Sequence, residues 1–322
     1  MSRASLRLVG DVGGTNVRFA LVEPGAAVAL TDPQSFVCAD FPTLEAAIRH
    51  YLDKRGGGDR PDTAVIAVAG PVIDGKAQLT NGRWRMSEAA LLGEGFTAAR
   101  LINDYTALAL SVSLLAGDDL GPIGEARPDP HGSVAIIGPG TGLGVGGMIR
   151  DGVGQAVAVT EGGHIAFAPA DEVEIEILRH LTATFGRVSL ERILSGPGLV
   201  NLHGALARIR SVSAPELEPE QIVERATAGT DALCVETLDR FCAIYGSAAG
   251  DLALVMGATG GVYLGGGIPP RILDYLRSSA FRARFEDKGR FRAYTAPIAT
   301  QVILHPYAAL LGAGDAPLAG QG

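Results

Sequence analysis

Cysteine, tryptophan and positive charge are all scarce in this chain. Its 322 residues include three cysteines and one tryptophan, and 27 Lys and Arg against 35 Asp and Glu leave a formal net charge of −8. Cys38, Cys234 and Cys242 are scattered and odd in number, which fits a reducing compartment and excludes a disulfide framework. No Cys-x-x-Cys pair exists to hold zinc. The acidic balance, with a sequence pI near 5.3, argues against nucleic acid or an anionic membrane as partner. No uninterrupted apolar run reaches the ~18 residues that a membrane-spanning helix needs. The opening "MSRASLRLVGD" reaches Asp11 before a signal-type apolar segment can form. Together these absences predict a soluble, unprocessed cytoplasmic protein and leave small polar metabolites open as its ligands. The length favours two lobes over a single core.

Glycine is abundant, with 44 residues. The stretch "VAIIGPGTGLGVGGMIRDG" contains Gly142-x-Gly144-x-x-Gly147, the spacing of a dinucleotide fingerprint. That fingerprint works only where the glycines turn a strand into a helix. Here Val145-Gly-Gly-Met-Ile149 and then Asp-Gly follow, which reads as a second strand and a turn, so the loop predicts a hairpin and counts against an NAD enzyme. The first lines of the sequence repeat the plan: "LRLVGDVGGTNVRFALVEPG" is an apolar run, a glycine turn with Asp11 and Thr15, a second apolar run and Pro-Gly. Two such units suggest a duplicated architecture with one loop per lobe. Loops without side-chain bulk let successive N–H groups converge on an anion, so two of them could grip a polyphosphate. A tight hairpin that only reverses the chain is the plainer alternative. Neither loop is a Walker motif, since no Gly-Lys-Ser or Gly-Lys-Thr occurs. Asp11 and Thr15 are then the candidates for Mg²⁺-bound water and phosphate oxygens. A third cluster, "GGVYLGGGIPPR", ends a strand-like run at Gly265, Gly266 and Gly267, where a flat purine could lie close to backbone.

Several polar groups could hold an acceptor. "AARLINDYTALAL" passes from a short strand to a helix with Asn103 and Asp104 at the junction. Asp104 could cap the helix, or take a proton from a hydroxyl while Asn103 orients the acceptor, and both roles can coexist. "TEGGHIAFAP" places Glu161 and His164 around two glycines, where a ligand could approach the backbone. "RVSLERILSGPGLVNL" supplies Glu191 on a short helix stopped by Ser-Gly-Pro-Gly. The basic segment Phe281 to Tyr294 predicts a solvated face or a subunit contact. Trp84 falls in a loop before a helical pattern, and the nearby Asn81 is a weak candidate to face a cleft.

With these segments in order, the chain resembles the bacterial glucokinase family, ATP-dependent hexose kinases of the hexokinase and actin-like superfamily. The resemblance runs nearly end to end through "LVGDVGGTNVRFAL", "LINDYTALAL", "GPGTGLGV", "EGGHIAFAP", "SLERILSGPGLVNL", "GGVYLGGGI" and "FEDKGRF". It implies an α/β, two-lobed actin-like/hexokinase fold (duplicated, ribonuclease H-like) with an interlobe cleft and βββαβα-type units. Residues 1–114 would form a small lobe completed by a C-terminal helix over 305–322, and residues 115–304 a large lobe. By motif match, the resemblance puts ATP phosphates and Mg²⁺ at Asp11, Gly13, Gly14, Thr15 and Asn16, with Asp11 reaching the metal through water. Gly140, Thr141 and Gly142 would lie opposite, with adenine near Gly265, Gly266 and Gly267. Asn103, Asp104, Glu161, His164 and Glu191 would surround glucose, with Asp104 as the base for the 6-hydroxyl. A homodimer is implied by the family and not by patterning. The related repressor/ORF/kinase group carries a cysteine-rich zinc motif soon after the equivalent histidine. Here "IAFAPADEVEIEILRH" follows His164 without cysteine, so structural zinc is not expected, and the first loop at Gly10 leaves no room for that group's helix-turn-helix domain.

Phosphoryl transfer needs positioning and charge neutralisation more than covalent chemistry. An aspartate of ordinary pKa, about 3.9, is ionised at pH 7 and can accept the hydroxyl proton. Water competes as acceptor, so lobe closure on the sugar is expected to assemble the site. The alternatives are a kinase for another hexose or an amino sugar on the same fold, and a catalytically silent sugar sensor. Polyphosphate as donor stays open, because glycine-loop amides recognise phosphate and not adenine.

Overall fold

The run Arg7–Val12 is buried on nearly every residue, as expected for a strand covered on both faces. In the computed structural model, which describes residues 6–23, 28–56, 59–79 and 83–318, this run is β1. Asn81 lies outside the described residues. The chain divides into two units, Met1–Ala116 with His305–Gly322, and Gly117–Leu304.

In the first unit, β1 pairs antiparallel with β2 (Asn16–Val22), and β2 with β3 (Leu30–Val37). Helix α1 (Leu44–Lys54) follows, started by Thr43, whose hydroxyl accepts the Ala46 amide. Strand β4 (Thr63–Val68) lies parallel to β1. A small sheet of β5 (Val72–Ile73), β6 (Lys76–Gln78) and β7 (Arg85–Ser87) leads into α2 (Glu88–Gly93), capped by Ser87. Strand β8 (Ala98–Asn103) lies parallel to β4, and α3 (Asp104–Ser111) follows it directly. One face of the sheet packs Leu8, Phe19 and Ile66 against Ile48, Tyr51 and Leu91, all buried, with the Phe19 and Tyr51 rings 5.5 Å apart. Trp84 joins this core, and its indole N–H donates to the Phe41 carbonyl.

The second unit opens with β9 (Leu120–Ile123). A hairpin of β10 (Val134–Pro139) and β11 (Leu143–Arg150) continues to the edge strand β12 (Gln155–Val159). Then come α4 (Glu172–Phe185), α5 (Gly196–Arg210), α6 (Pro219–Thr227) and α7 (Ala232–Met256), with Asp231 capping α7 at its start. Strand β13 (Val262–Leu264), helices α8 (Leu273–Ser278), α9 (Phe281–Glu286) and α10 (Arg292–Thr295), and β14 (Thr300–Ile303) complete it. Sheet order is β12-β11-β10-β13-β14-β9 against β3-β2-β1-β4-β8 in the first unit. Without β9, which pairs antiparallel at the far edge, the two sheets share one connectivity: three antiparallel strands, then two parallel ones. Gly142 to Gly147 runs from a turn into a strand, which removes the dinucleotide reading.

The basic segment is tied into the fold over its first half, while Gly289 to Tyr294 is exposed, as a solvated face would be. Phe281 and Phe285 are fully buried. Arg282 donates to the carbonyls of Ala296 and Ile298, and Arg284 forks onto the wholly buried Glu174 at 2.8 and 3.1 Å. Lys288 pairs with Asp251. These side chains tie α9 to α4 and α7, and the phenylalanines at i and i+4 supply the apolar face that holds the cations inward.

The first unit is completed by α11 (Ala308–Asp315), which packs on α3 and across β1 and β4. The approach is so close that a Cβ on Gly312 would stand 1.7 Å from the Ala107 carbonyl oxygen. The buried Arg7 guanidinium donates to the carbonyls of Gly314 and Ala316 at 2.7 and 2.8 Å, putting a cation on the orphan carbonyls at the end of α11.

Candidate active site

In the first unit the candidate residues gather at the carboxyl ends of the parallel strands, where α/β sheets bind ligands. Val12 of β1 is in register with Val68 of β4, and Val68 with Asn103 of β8. The Ala69 amide donates to the Val12 carbonyl, and Asn103 Nδ2 to the Gly70 carbonyl at 3.1 Å, so the three strand ends are knitted together. Between β1 and β2 the chain turns through Gly13, Gly14 and Thr15, closed by the Gly13 amide on the Asn16 carbonyl. Gly14, Thr15 and Asn16 are exposed, and a Cβ on Gly14 would meet nothing within 4 Å. The buried Cys38 braces the turn, its amide donating to the Thr15 carbonyl and its thiol to the Gly13 carbonyl.

Asp11 stands directly across the hairpin from Arg18, with a 2.9 Å ion pair from Nη1 to Oδ2. Burial pushes the Asp11 carboxyl above its ordinary range, and the Arg18 guanidinium pulls it back in part. Among the described residues no three His, Cys, Asp or Glu cluster as a metal cage. A single carboxylate beside an exposed glycine turn is compatible with Mg²⁺, which keeps most of its waters and needs few protein ligands.

The helix cap falls on Asn103, not Asp104. Asn103 Oδ1 accepts the amides of Tyr105 and Thr106, while Asp104 is the first helical residue. The Asp104 Oδ1 also accepts the Tyr105 amide, at 3.0 Å, so the two neighbouring side chains share that donor.

In the second unit the turn Gly140–Gly142 ends β10, and Gly265–Gly267 follows the neighbouring parallel strand β13. The two loops touch. The Gly265 amide donates to the Ile137 carbonyl and the Ile268 amide to that of Pro139, while Gly266, at φ +79°, leaves no room for a Cβ, which would lie 2.4 Å from the Pro139 oxygen. Gly267 and Thr141 remain exposed. The pair of glycines before His164 has a different purpose from ligand approach: a Cβ on Gly163 would stand 2.0 Å from the Leu143 carbonyl oxygen, so the glycines let this segment lie on β11. Glu161 and His164 are exposed around them. The Leu190 amide donates to the Ile165 carbonyl, bringing Glu191 alongside, with its Oε1 3.9 Å from His164 Nδ1. Ser-Gly-Pro-Gly does not stop a helix here but starts one. The Ser195 hydroxyl accepts the Gly198 amide at the head of α5, and Pro197 sits in the first turn, where it has no N–H to lose.

The sequence profile of the family described as Glucokinase matches residues 8–318. The chain belongs to the glucokinase family. Membership makes it an ATP-dependent glucose phosphotransferase. A glucokinase of Caulobacter sp. (strain K31) is 52% identical over 318 residues, covering 98% of this chain and 96% of that one. The crystal structure of a glucokinase from an Antarctic psychrotroph superposes with a TM-score of 0.89 at 36% identity, covering 97% and 98% of the two chains. A ROK family glucokinase from Streptomyces griseus, solved in complex with glucose and AMPPNP, shares the fold at 21% identity and a TM-score of 0.64, covering 97% and 98%. The fold of this glucokinase is thus the two-lobed hexokinase type. Arg18, Cys38 and the Leu143 amide were not singled out from the sequence. Arg18 could have been, because the hairpin register alone sets it opposite Asp11.

Proposed function

We propose that this glucokinase transfers the γ-phosphoryl group of ATP to the glucose 6-hydroxyl, with Asp104 as general base. The observation that carries this is the place of Asp104: it is the first residue of α3, directly after the carboxyl end of β8, where Asn103 caps the helix and the Asp104 Oδ1 accepts the Tyr105 amide at 3.0 Å. Asp104 accepts the hydroxyl proton as the new O–P bond forms and the bond to the leaving ADP breaks. Asn103 spends both ends of its amide on protein groups and so fixes the strand-to-helix corner that carries the base.

Each unit carries its own share of the groups. The turn Gly13, Gly14, Thr15 and Asn16 binds phosphate oxygens from the first unit, and the turn Gly140, Thr141 and Gly142 from the second, with the Gly13 and Gly140 amides closing their own turns. Asp11 holds Mg²⁺ through water, and that ion, when bound, neutralises phosphate charge. Adenine lies on the open face of Gly267, with Gly265 and Gly266 fixing the loop. Glu161, His164 and Glu191 exchange hydrogen bonds with sugar hydroxyls, so mannose and fructose are expected to be poor acceptors, because a misplaced hydroxyl leaves unpaired a polar group that the bound sugar covers.

The test is glucose 6-phosphate formation with MgATP by the purified protein beside Asp104→Asn, with mannose, fructose and N-acetylglucosamine as alternative acceptors. The expected outcome is a loss of kcat of about 10²- to 10⁴-fold in the variant with glucose binding retained. Near wild-type turnover in Asp104→Asn would remove Asp104 as the base. Turnover of another sugar in place of glucose would change the acceptor alone.

A further inference from the structure

The Gly140–Gly142 turn does not hold its own shape. The Gly140 amide reaches the Gly142 carbonyl at 2.8 Å, but the remaining ties come from outside the hairpin. The Gly196 amide donates to the Gly140 carbonyl at 2.8 Å. The amide of Leu143, the residue on which the turn ends, donates to Oε2 of Glu191 at 3.0 Å. Glu191 lies so close to the turn that a Cβ on Gly142 would stand 2.6 Å from that same oxygen. Its other oxygen faces His164 Nδ1 at 3.9 Å, and a third of the side chain is solvent-accessible. One carboxylate therefore has one oxygen on the turn and the other among the groups assigned to the sugar.

We propose that Glu191 couples the two substrates, holding the Leu143 amide with Oε2 and a sugar hydroxyl with Oε1, so that sugar occupancy sets the turn for the nucleotide phosphates. The carboxylate is a rigid plane, and the torsion that swings it is broad. A hydroxyl hydrogen-bonded to Oε1 narrows that torsion and so keeps Oε2 on the amide. The same contact works in reverse, since a coupling between two binding equilibria is reciprocal. Glu191 acts on the nucleotide through Leu143 and is in that respect a positioning residue. The backbone of Ser195 and Gly196 cooperates: the Ser195 hydroxyl donates to the Glu191 carbonyl at 2.7 Å, fixing the residue's own main chain while its side chain spans the two substrates. The inference rests on the reading of Glu191 as a sugar ligand.

The experiment is calorimetric titration of the full chain with a non-hydrolysable Mg·ATP analogue, without and with saturating D-glucose. The ratio of the two dissociation constants is the coupling, expected at about 5-fold or more in the unaltered protein. Gly142→Ala is the decisive variant. Its backbone lies outside the left-handed region, and the only group its methyl displaces is the flexible end of Glu191, so the chain folds and the carboxylate leaves the turn. Its ratio is expected to approach 1, whatever the shift in either affinity alone. Glu191→Gln keeps an acceptor for the Leu143 amide and is expected to retain most of the ratio. A wild-type ratio of 1, or an undiminished ratio in Gly142→Ala, overturns the coupling. Glucose binding by Glu191→Ala at wild-type affinity overturns the sugar-ligand assignment instead, so the two failures are distinguishable.

Discussion

At the scale of single residues, Asp11 shows what a charged site costs the fold that carries it. Its carboxyl is held above its ordinary range by burial, against the pull of Arg18. A folded-state carboxyl pKa raised above the unfolded value means that the folded chain binds that proton more readily. Stability then falls as pH rises from the unfolded value of about 3.9 through the raised folded value, and the cost persists at neutral pH. Asp11→Asn is therefore expected to melt at a higher temperature than wild type at pH 7 without nucleotide, while losing Mg·ATP-dependent turnover. Thermal melts of both proteins from pH 4 to 8 check the sign: the difference should grow with pH through that window, and a variant that melts lower throughout would refute it. Gly14 is the complementary case. Because nothing lies within 4 Å of a Cβ there, Gly14→Ala should leave stability within ~0.5 kcal/mol and raise KM for ATP, a split that separates ligand space from packing space. The residue types at the site were legible in the sequence, but their duties were not always so. Asn103 and Asp104 are both good caps, and adjacency alone could not show that Asn103 takes the cap position while both side chains accept the Tyr105 amide.

Elements that declare themselves through local pattern were read from the sequence, and those set by distant neighbours were not. Both glycine hairpins follow from apolar runs flanking a turn, and the strand after Gly142 from its β-branched and small residues. Ser195-Gly-Pro-Gly is ambiguous in isolation: the same four residues can end one helix or cap and start the next, and only the Ser195 contact with the Gly198 amide decides. Gly163 is explained by β11, and Gly312 by α3, contacts that no local window contains. Gly312→Ala carries the corresponding prediction. Its methyl must force α11 off the Ala107 carbonyl, so a loss of about 1–3 kcal/mol in denaturant unfolding is expected. A neutral result would mean that α11 and α3 can separate without cost.

For the whole molecule, the duplication glimpsed in two glycine loops is carried by two sheets of one strand order, with β9 as an addition to the second. That order was not legible, because pairing between strands far apart leaves no mark on either strand. The first unit is discontinuous, its sheet coming before the second unit and its helix α11 after it. Removal of residues 305–322 is therefore expected to strip protection from β1 and β4 in hydrogen exchange while the second unit keeps its own. Retained protection of β1 and β4 would show that α11 is dispensable to the sheet. The same connectivity bears on how the protein is made. Domains tend to fold in order as they leave the ribosome, yet the first strands to emerge here wait for the helix that covers them until every strand of the second unit has been translated. Completion thus runs against the order of synthesis. A translation product that ends before α11 leaves the apolar sheet face beneath it uncovered, the kind of surface that makes partly folded chains prone to aggregate.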